Sequence, residues 1–171
     1  MINEIIFVLL TILVFKTWID LLRDEAIFVP LPKKTIRKIL RAAKISNKDF
    51  LVDLGCGDGR VVIIAAKEFG AKCVGVEKNF LLARIANWMV EKEGLKGRVK
   101  IVNKDFFKVD LRKFNVVFAY LSKKVNAKIE SKLKKELKKG SKVLSAAHEF
   151  KSFKLEKKIK TGHFYSYIYR V

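Results

Sequence analysis

The sequence predicts an α/β fold in which an open, mostly parallel, doubly wound sheet ends in an antiparallel hairpin and follows one N-terminal hydrophobic helix. Short apolar segments alternate with segments of helical periodicity, which is typical of parallel strands joined by crossover helices. A glycine-rich turn follows the first predicted strand, and two alternating segments on either side of Gly162 end the chain. At 171 residues the chain is long enough for one domain and too short for two of ordinary size.

Residues 1–23 are set apart by their hydrophobicity from the predicted domain, residues 24–171. Residues 5–22 read IIFVLLTILVFKTWIDLL, and eighteen helical residues extend about 27 Å, close to the roughly 30 Å hydrocarbon thickness of a bilayer. We therefore predict a transmembrane helix, with a buried or amphipathic helix of a soluble protein as the alternative. Because Lys and Arg follow this segment and none precedes it, the domain is expected to face the cytoplasm.

The composition is strongly basic and restricts the partners only broadly. Lys and Arg number 37 against 17 Asp and Glu, a formal net charge of +20, and residues 123–171 supply +11 of it from 15 basic and 4 acidic side chains. Nucleic acid, acidic protein surfaces and anionic lipid are all candidate partners, beside a lysine-rich surface that contacts only solvent. The two cysteines and two histidines are too isolated for a metal site, and no metal is predicted.

The elements of the domain follow from periodicity and from helix and strand boundary residues. Pro30 and Pro32 keep the chain extended before the first helix. The first half predicts helix 35–44, a strand from Phe50, helix 61–69 ending at Gly70, strand 73–77, and helix 80–93 capped by Asn79. The second half predicts strand 98–103, a strand from 115 that ends at Tyr120, a helix between Ser122 and Gly140, strand 141–147 and the hairpin 153–171.

The stretch 50–60, FLVDLGCGDGR, reads as a strand, a glycine turn and the start of a helix, which together form a cradle for a nucleotide. A dinucleotide fingerprint needs a third glycine where Arg60 or Val62 stands. A P-loop needs Lys and then Ser or Thr after its last glycine, and here Gly59 is followed by Arg60 and Val61. What fits is G-x-G-x-G with an acid two residues upstream, the pattern of S-adenosylmethionine (AdoMet) methyltransferases. A glycine turn with no ligand is the alternative.

Acidic side chains lie at or just beyond the ends of three predicted strands, where a ligand of an open α/β sheet binds, and Asp53 is the one near the end of the first strand. Glu77 ends the second strand, 22 residues after Gly55, and can accept both hydroxyls of a ribose. Asp105 follows the third strand and can accept a hydrogen bond from an adenine amino group. Phe106 or Phe107 can then close over the base.

From Phe28 to the C-terminus the chain resembles the seven-strand, Rossmann-like AdoMet-dependent methyltransferases. More narrowly, FVPLP, DLGCGDGRVVI, VEKN and KDFFKVDL resemble the archaeal broad-specificity protein lysine methyltransferase. They also resemble the mitochondrial lysine methyltransferases that modify adenine nucleotide translocase and the c-subunit of ATP synthase, whose members carry an N-terminal hydrophobic anchor. The resemblance implies that S-adenosyl-L-methionine is the cofactor.

The same resemblance implies the residues of the cofactor site. Asp53 and the loop glycines would line the methionine moiety, Glu77 the ribose and Asp105 the adenine, and Pro30 would border the opening to the methyl group. The full predicted set is Pro30, Asp53, Gly55, Cys56, Gly57, Gly59, Glu77, Lys78, Asp105, Phe106 and Tyr120. Two departures from the family are Leu31, where a Thr is usual, and AYLS at the end of the fourth strand, which lacks the N-P-P-Y signature.

These features predict an AdoMet-dependent protein lysine N-methyltransferase held at a membrane. Tyr120 is the candidate catalytic residue, which would line the lysine channel or orient the amine. The partner would be a protein with an accessible lysine, and nucleic acid is the less favoured partner. An RNA methyltransferase and a non-catalytic AdoMet-binding or tethering protein are the alternatives. The sequence leaves the substrate and the oligomeric state open.

Overall fold

A computed structural model of the chain describes residues 2–22 and 29–171, with the side chains of residues 4–15 and 29–171. The helices are α1 (Ile2–Leu22), α2 (Lys33–Ala42), α3 (Arg60–Phe69), α4 (Phe80–Lys92) and α5 (Lys123–Glu136), with a 3₁₀ turn at Phe106–Lys108. The strands are β1 (Phe50–Leu54), β2 (Lys72–Glu77), β3 (Val99–Asn103), β4 (Val116–Ala119), β5 (Lys142–Ala146), β6 (Lys154–Thr161) and β7 (Phe164–Arg170).

The seven strands form one sheet in the order β3-β2-β1-β4-β5-β7-β6. Strands β1 to β5 pair in parallel, β7 pairs antiparallel with β5, and β6 pairs antiparallel with β7. The predicted α/β fold with a C-terminal hairpin is therefore confirmed. The carboxyl ends of β1, β2, β3 and β4 all lie at one edge of the sheet, which we call the carboxyl edge.

Helices cover both faces of the sheet, so the central strands are apolar on both sides. Leu51 of β1 belongs to the core under α2, α3 and α4, and its neighbour Val52 belongs to the core under α5. Both side chains are fully buried. This double burial explains why the central strands read as continuous apolar runs rather than as alternating ones.

Two predicted boundaries differ from the structure. The fourth strand ends at Ala119, so Tyr120 follows the strand instead of ending it. The first helix of the domain spans Lys33–Ala42 rather than 35–44: it begins directly after Pro32, and it cannot include Lys44, whose φ of +52° no α-helix accommodates. The predicted boundary between residues 23 and 24 lies outside the described residues.

The predicted N-terminal helix is present as α1. Over the part of the chain that the structure describes, however, no helix has both the length and the apolar character required to cross a bilayer. The prediction of a membrane-spanning helix over residues 1–23 is therefore not supported.

Candidate functional site

A loop with three glycines joins β1 to α3 at the carboxyl edge. Gly55, Gly57 and Gly59 have φ angles of +76°, +55° and +81°, which residues with side chains rarely adopt. The amides of Gly55 and Cys56 both donate to the carbonyl oxygen of Val76, at 2.8 and 3.0 Å. The loop is therefore held against the end of β2.

The carboxylate of Glu77, the last residue of β2, joins this loop to the turn before α4. One oxygen accepts the amide of Gly57 at 2.9 Å, and the other accepts the amide of Asn79 at 2.8 Å. From β3, the side-chain amide of Asn103 donates to the carbonyl oxygens of Glu77 and Lys78, at 2.8 and 2.9 Å. Since a carboxylate oxygen accepts more than one hydrogen bond, both oxygens keep capacity for hydroxyl donors.

Asp53 lies near the end of β1 and is almost fully buried, with 3% of its surface exposed. Burial raises the pKa of its carboxyl group well above the ordinary value, and the charges of Glu77 and Asp58 raise it further. The charged form of Asp53 is therefore costly by itself, and a cation or a hydrogen-bond donor placed beside it would stabilise it.

Arg60 connects the glycine loop to the segment before α2, a role that the sequence reasoning missed. Its guanidinium donates to the Asp58 carboxylate at 2.9 Å and to the carbonyl oxygen of Leu31 at 3.1 Å. Burial alone would raise the pKa of Asp58, but the hydrogen bonds and charge of Arg60 outweigh it and lower that pKa. Through Leu31, this contact holds the exposed Pro30 near the start of α3.

The side chain of Cys56 is buried behind the loop, against Gly75 of β2. A Cβ atom at Gly75 would lie 2.7 Å from Cys56 Sγ and 2.8 Å from Ile101 Cδ1, so a larger residue does not fit without displacement. Burial raises the pKa of the Cys56 thiol well above its ordinary value, and the charge of Asp53 adds to the effect. The thiol is therefore protonated and acts by packing, not as a nucleophile.

Asp105 and two aromatic rings stand just beyond β3. The Asp105 carboxylate accepts the amide of Phe107 at 2.9 Å and so caps the 3₁₀ turn. The ring centroids of Phe106 and Phe107 are 4.8 Å apart, and Phe107 is 38% exposed. An acid and an aromatic pair are thus combined at the end of β3, as the sequence predicted.

Tyr120 directly follows β4 and is half-buried. Its ring stacks on that of Phe164, with 6.1 Å between centroids and 19° between planes. Lys78 is exposed beside Glu77. The structure therefore places the predicted residues of the four strands at the carboxyl edge. Pro30 lies near this edge because Leu31, the next residue, accepts a hydrogen bond from Arg60.

A strained turn after β5 lies at the same edge and was not foreseen. Ala147 has a φ of +72°, and the amide of His148 donates to the carbonyl oxygen of Ala146 at 3.0 Å, which closes a γ-turn of the rare, strained kind. The register of β4 and β5 places this turn beside Tyr120. A single alanine carries no sequence signal for such a turn.

The side chain of Asn126, in the first turn of α5, forms hydrogen bonds with this strained turn and the end of β5. Its side-chain amide donates to the Ser145 hydroxyl and to the His148 carbonyl oxygen, both at 3.2 Å. Because the carbonyl can only accept, the orientation of the amide is fixed. Among the described residues, Asn126 Oδ1 finds no hydrogen-bond donor.

Replacing Ala147 with glycine is expected to stabilise the fold. A positive φ costs alanine about 1–2 kcal/mol, whereas glycine adopts it freely and loses about 0.5–1 kcal/mol through the greater freedom of its unfolded chain. We expect A147G to raise the free energy of unfolding by up to about 1 kcal/mol in urea titrations. The matched control, Ala127→Gly on the exposed side of α5, should lower it by about 1 kcal/mol. A loss in A147G equal to that in the control would contradict strain at this turn.

The chain has relatives both by sequence and by fold. The family model of the ANTKMT methyltransferase domain matches residues 53–157. A protein-lysine N-methyltransferase of Saccharolobus islandicus (strain REY15A) is 44% identical over 124 residues, which cover 72% of this chain and 76% of the relative. A lysine N-methyltransferase of the ATP synthase c-subunit from Mus musculus is 32% identical over 123 residues, 72% of this chain and 49% of the relative. The chain thus spans about half the length of the mouse protein.

Two solved structures share the fold. An RNA methyltransferase from Salinibacter ruber, in complex with S-adenosyl-L-homocysteine, has a TM-score of 0.81 at 31% identity and covers 84% of this chain and 94% of that one. A methyltransferase from Pyrococcus furiosus has a TM-score of 0.67 at 16% identity, and the match covers 85% of this chain and 88% of that one.

Over the described part of the chain, no group of three or more His, Cys, Asp or Glu side chains could hold a metal ion.

Proposed function

This chain belongs to the ANTKMT methyltransferase domain family, and from that membership we propose that it is a protein lysine N-methyltransferase that uses AdoMet. The observation that carries the substrate class is the 44% identity to a protein-lysine N-methyltransferase over 72% of the chain. The geometry of the carboxyl edge supports the cofactor, and the position of Tyr120 supports a site for the acceptor next to it.

The residues of the carboxyl edge fit AdoMet in charge and in shape. AdoMet carries a sulfonium and an ammonium group, and the buried Asp53 beside Glu77 favours cations at this position. A Cβ at Gly59 would lie 3.2 Å from the Cβ of Ala86, and one at Gly55 would lie 3.3 Å from the side chain of Leu121. The loop therefore keeps a bare backbone that a ligand can approach closely.

We assign the parts of the cofactor to the residues that end each strand. The carboxylate of Glu77 would accept the ribose hydroxyls, since both of its oxygens keep acceptor capacity. Asp53 and the glycine loop, with Cys56 and Lys78 beside it, would hold the methionine part. Asp105 would accept the adenine amino group with Phe106 against the ring, and Pro30 would border the opening to the methyl group.

AdoMet, when bound, supplies a methyl group activated by its sulfonium. The chain's own task is to present a neutral lysine amine in line with that group, because an ammonium has no free electron pair. Apolar surroundings lower the pKa of a lysine and favour the neutral form. Tyr120, whose ring stacks on that of Phe164, would orient the amine through its phenol oxygen. Alignment of this kind can supply most of the rate enhancement.

Asp53→Asn should separate stability from binding. Because burial raises the folded-state pKa of Asp53, its contribution to stability is present at low pH and is lost as pH rises from the ordinary carboxyl pKa to the raised one. We therefore expect D53N to unfold at a higher temperature than the wild type at neutral pH, with the difference shrinking toward about pH 4. Its AdoMet affinity should fall at least about tenfold, because a cation loses a charged acceptor. Thermal unfolding across pH and calorimetric titration measure both, and a pH dependence identical to that of the wild type would contradict the role given to burial.

RNA methylation is the second candidate, because one structural relative is described as an RNA methyltransferase and is 31% identical. The +11 charge of residues 123–171 also suits a polyanion. Radiolabelled AdoMet incubated with the intact chain and a cell extract, followed by protease or RNase, distinguishes the two. We expect label that protease releases and RNase does not. Label that only RNase releases would show RNA methylation. Binding of AdoMet without transfer of label would indicate a non-catalytic AdoMet-binding or tethering protein.

We also propose that α1, within a first unit of residues 1–23, associates with a membrane. Every large apolar side chain between Ile5 and Phe15 is at least half exposed, and such a surface favours lipid over water. The cytoplasmic orientation of the domain, residues 24–171, stays a prediction from flanking charge. Fractionation of untagged protein with carbonate washing tests the association, and recovery in the supernatant before washing would contradict it.

A further inference from the structure

Helix α4 has two apolar faces, of which the structure buries one. Ala83, Ala86 and Val90 are buried on the inner side. On the opposite side, four large apolar side chains are between about half and two-thirds exposed: Phe80 59%, Leu81 63%, Ile85 47% and Trp88 56%. At 100° per residue these four, with Arg84 and Lys92, cover one continuous arc of about 140°. We call these six residues the outer face.

Two cations of the outer face lie over its aromatic rings. Arg84 Cζ is 5.7 Å from the centroid of the Phe80 ring, and Lys92 Nζ is 5.1 Å from that of Trp88. These are cation–π contacts, in which the charged end of each side chain lies against the face of an exposed ring. Aromatic and aliphatic residues interleaved with such cations are typical of helices that lie in a membrane interface.

The acidic residues at the end of α4 are neutralised by partners outside the outer face. Glu91 lies within the arc of the outer face and pairs with Lys96 at 2.5 Å, and Glu93, on another side of the helix, pairs with Lys67 at 2.6 Å. Because Lys96 neutralises Glu91, the outer face keeps the positive charge of Arg84 and Lys92. That charge is complementary to anionic lipid, and the net charge of +20 attracts the chain to such a surface from a distance.

The outer face and the exposed apolar side of α1 can reach the same surface. Val29, the first described residue after α1, is 55% exposed and is seven residues from the end of that helix, at most about 25 Å. The next residues are held to α3 by the bond from Arg60 to the Leu31 carbonyl oxygen. Helix α4 contacts the start of the same α3, since Ala86 lies against Gly59.

We propose that the outer face of α4 lies in the interfacial region of an anionic bilayer. This contact is additional to any attachment through α1, and it does not depend on whether lysine or RNA receives the methyl group. Because α4 begins three residues after Glu77, the contact places the carboxyl edge close to the lipid surface. The acceptor groups that reach the site would then be those at the membrane surface.

The fluorescence of Trp88 in the intact chain tests the proposal. The chain has two tryptophans, so Trp18→Phe leaves Trp88 as the only one. With vesicles of phosphatidylcholine and phosphatidylserine that carry brominated acyl chains, we expect the emission to shift to shorter wavelength and to lose about half its intensity. In the same background, Arg84→Glu with Lys92→Glu should remove most of both changes. Leu155→Ser, at an exposed apolar position on the distant strand β6, is the matched control and should leave them intact.

The outcomes separate this contact from the other proposals. Chains that float with the vesicles while the emission of Trp88 stays unchanged would attach through α1 alone, and the proposal would be wrong. Emission that shifts on addition of a soluble protein and not of vesicles would assign the outer face to a protein partner and would also overturn it. Methyl transfer, measured in the same samples by label release, succeeds or fails independently of these readings.

Discussion

Glu77→Gln is expected to reduce AdoMet affinity by at least about a hundredfold. Both carboxylate oxygens accept backbone amides, from Gly57 at 2.9 Å and from Asn79 at 2.8 Å. Glutamine has the same shape, but its amino group would face one of these two donors, so one bond is lost and the loop loses its link to α4. The ribose hydroxyls also lose a charged acceptor, and each such hydrogen bond contributes about 1.5–3 kcal/mol.

Calorimetric titration with AdoMet and with S-adenosyl-L-homocysteine measures this effect. Glu156→Gln is the matched control, because Glu156 forms an exposed ion pair with Arg170 on the terminal hairpin, at 2.8 Å. The control should bind as the wild type does. An E77Q variant that keeps its circular dichroism spectrum and binds within about threefold of the wild type would rule out the role proposed for Glu77.

Gly75→Ala should give the largest loss of stability among single-methyl changes in the site. Its Cβ would lie 2.7 Å from Cys56 Sγ and 2.8 Å from Ile101 Cδ1, so at least one of these two buried side chains must shift. Overpacking of this kind costs about 1–3 kcal/mol, which lowers the melting temperature by roughly 2–12 °C in a chain of this size. The shift also pushes the glycine loop outward through Cys56, so cofactor affinity should fall with stability.

Gly97→Ala provides the control, since a Cβ at Gly97 meets no atom within 4 Å. We expect G97A to melt within about 2 °C of the wild type. Adding Cys56→Ala to G75A removes the nearest clashing atom and should restore part of the lost stability, a coupling that a double-mutant cycle quantifies. Equal melting temperatures for G75A and G97A would mean that the contact between β2 and the loop is not tight.

The sequence allowed the fold to be predicted because its local signals agree with its tertiary structure. The glycine turn at 55–59 follows an apolar strand, Glu77 ends another, and Asp105 and Tyr120 come shortly after two more. Parallel strands place such positions at one edge, so a linear pattern was enough to predict a spatial cluster. The terminal hairpin was visible from its alternation around Gly162.

What the sequence could not show are contacts between segments that are distant along the chain. Gly75 reads as an ordinary strand glycine until Cys56 and Ile101 are brought against it. The bond from Arg60 to Leu31 crosses 29 residues, and no local pattern encodes it. The strained Ala147 adopts a conformation opposed to its own preference, which only the surrounding hydrogen bonds reveal.

The N-terminal helix shows the limit of hydrophobicity as a signal. Its apolar run correctly predicted a helix. Hydrophobicity does not distinguish a span from a surface association, and within the described residues no helix meets the requirements of a span. The exposed outer face of α4 could not be predicted either, because large apolar side chains such as Phe80, Leu81, Ile85 and Trp88 are more often buried than exposed.

A crystal structure of the intact chain with S-adenosyl-L-homocysteine tests the proposed site most directly. We expect both ribose hydroxyls within about 3.2 Å of the Glu77 carboxylate oxygens, the adenine beside Asp105 and Phe106, and the methionine part over the loop from Gly55 to Gly59. A nucleoside bound anywhere else, or a ribose that makes no contact with Glu77, would contradict the assignment of this edge as the cofactor site.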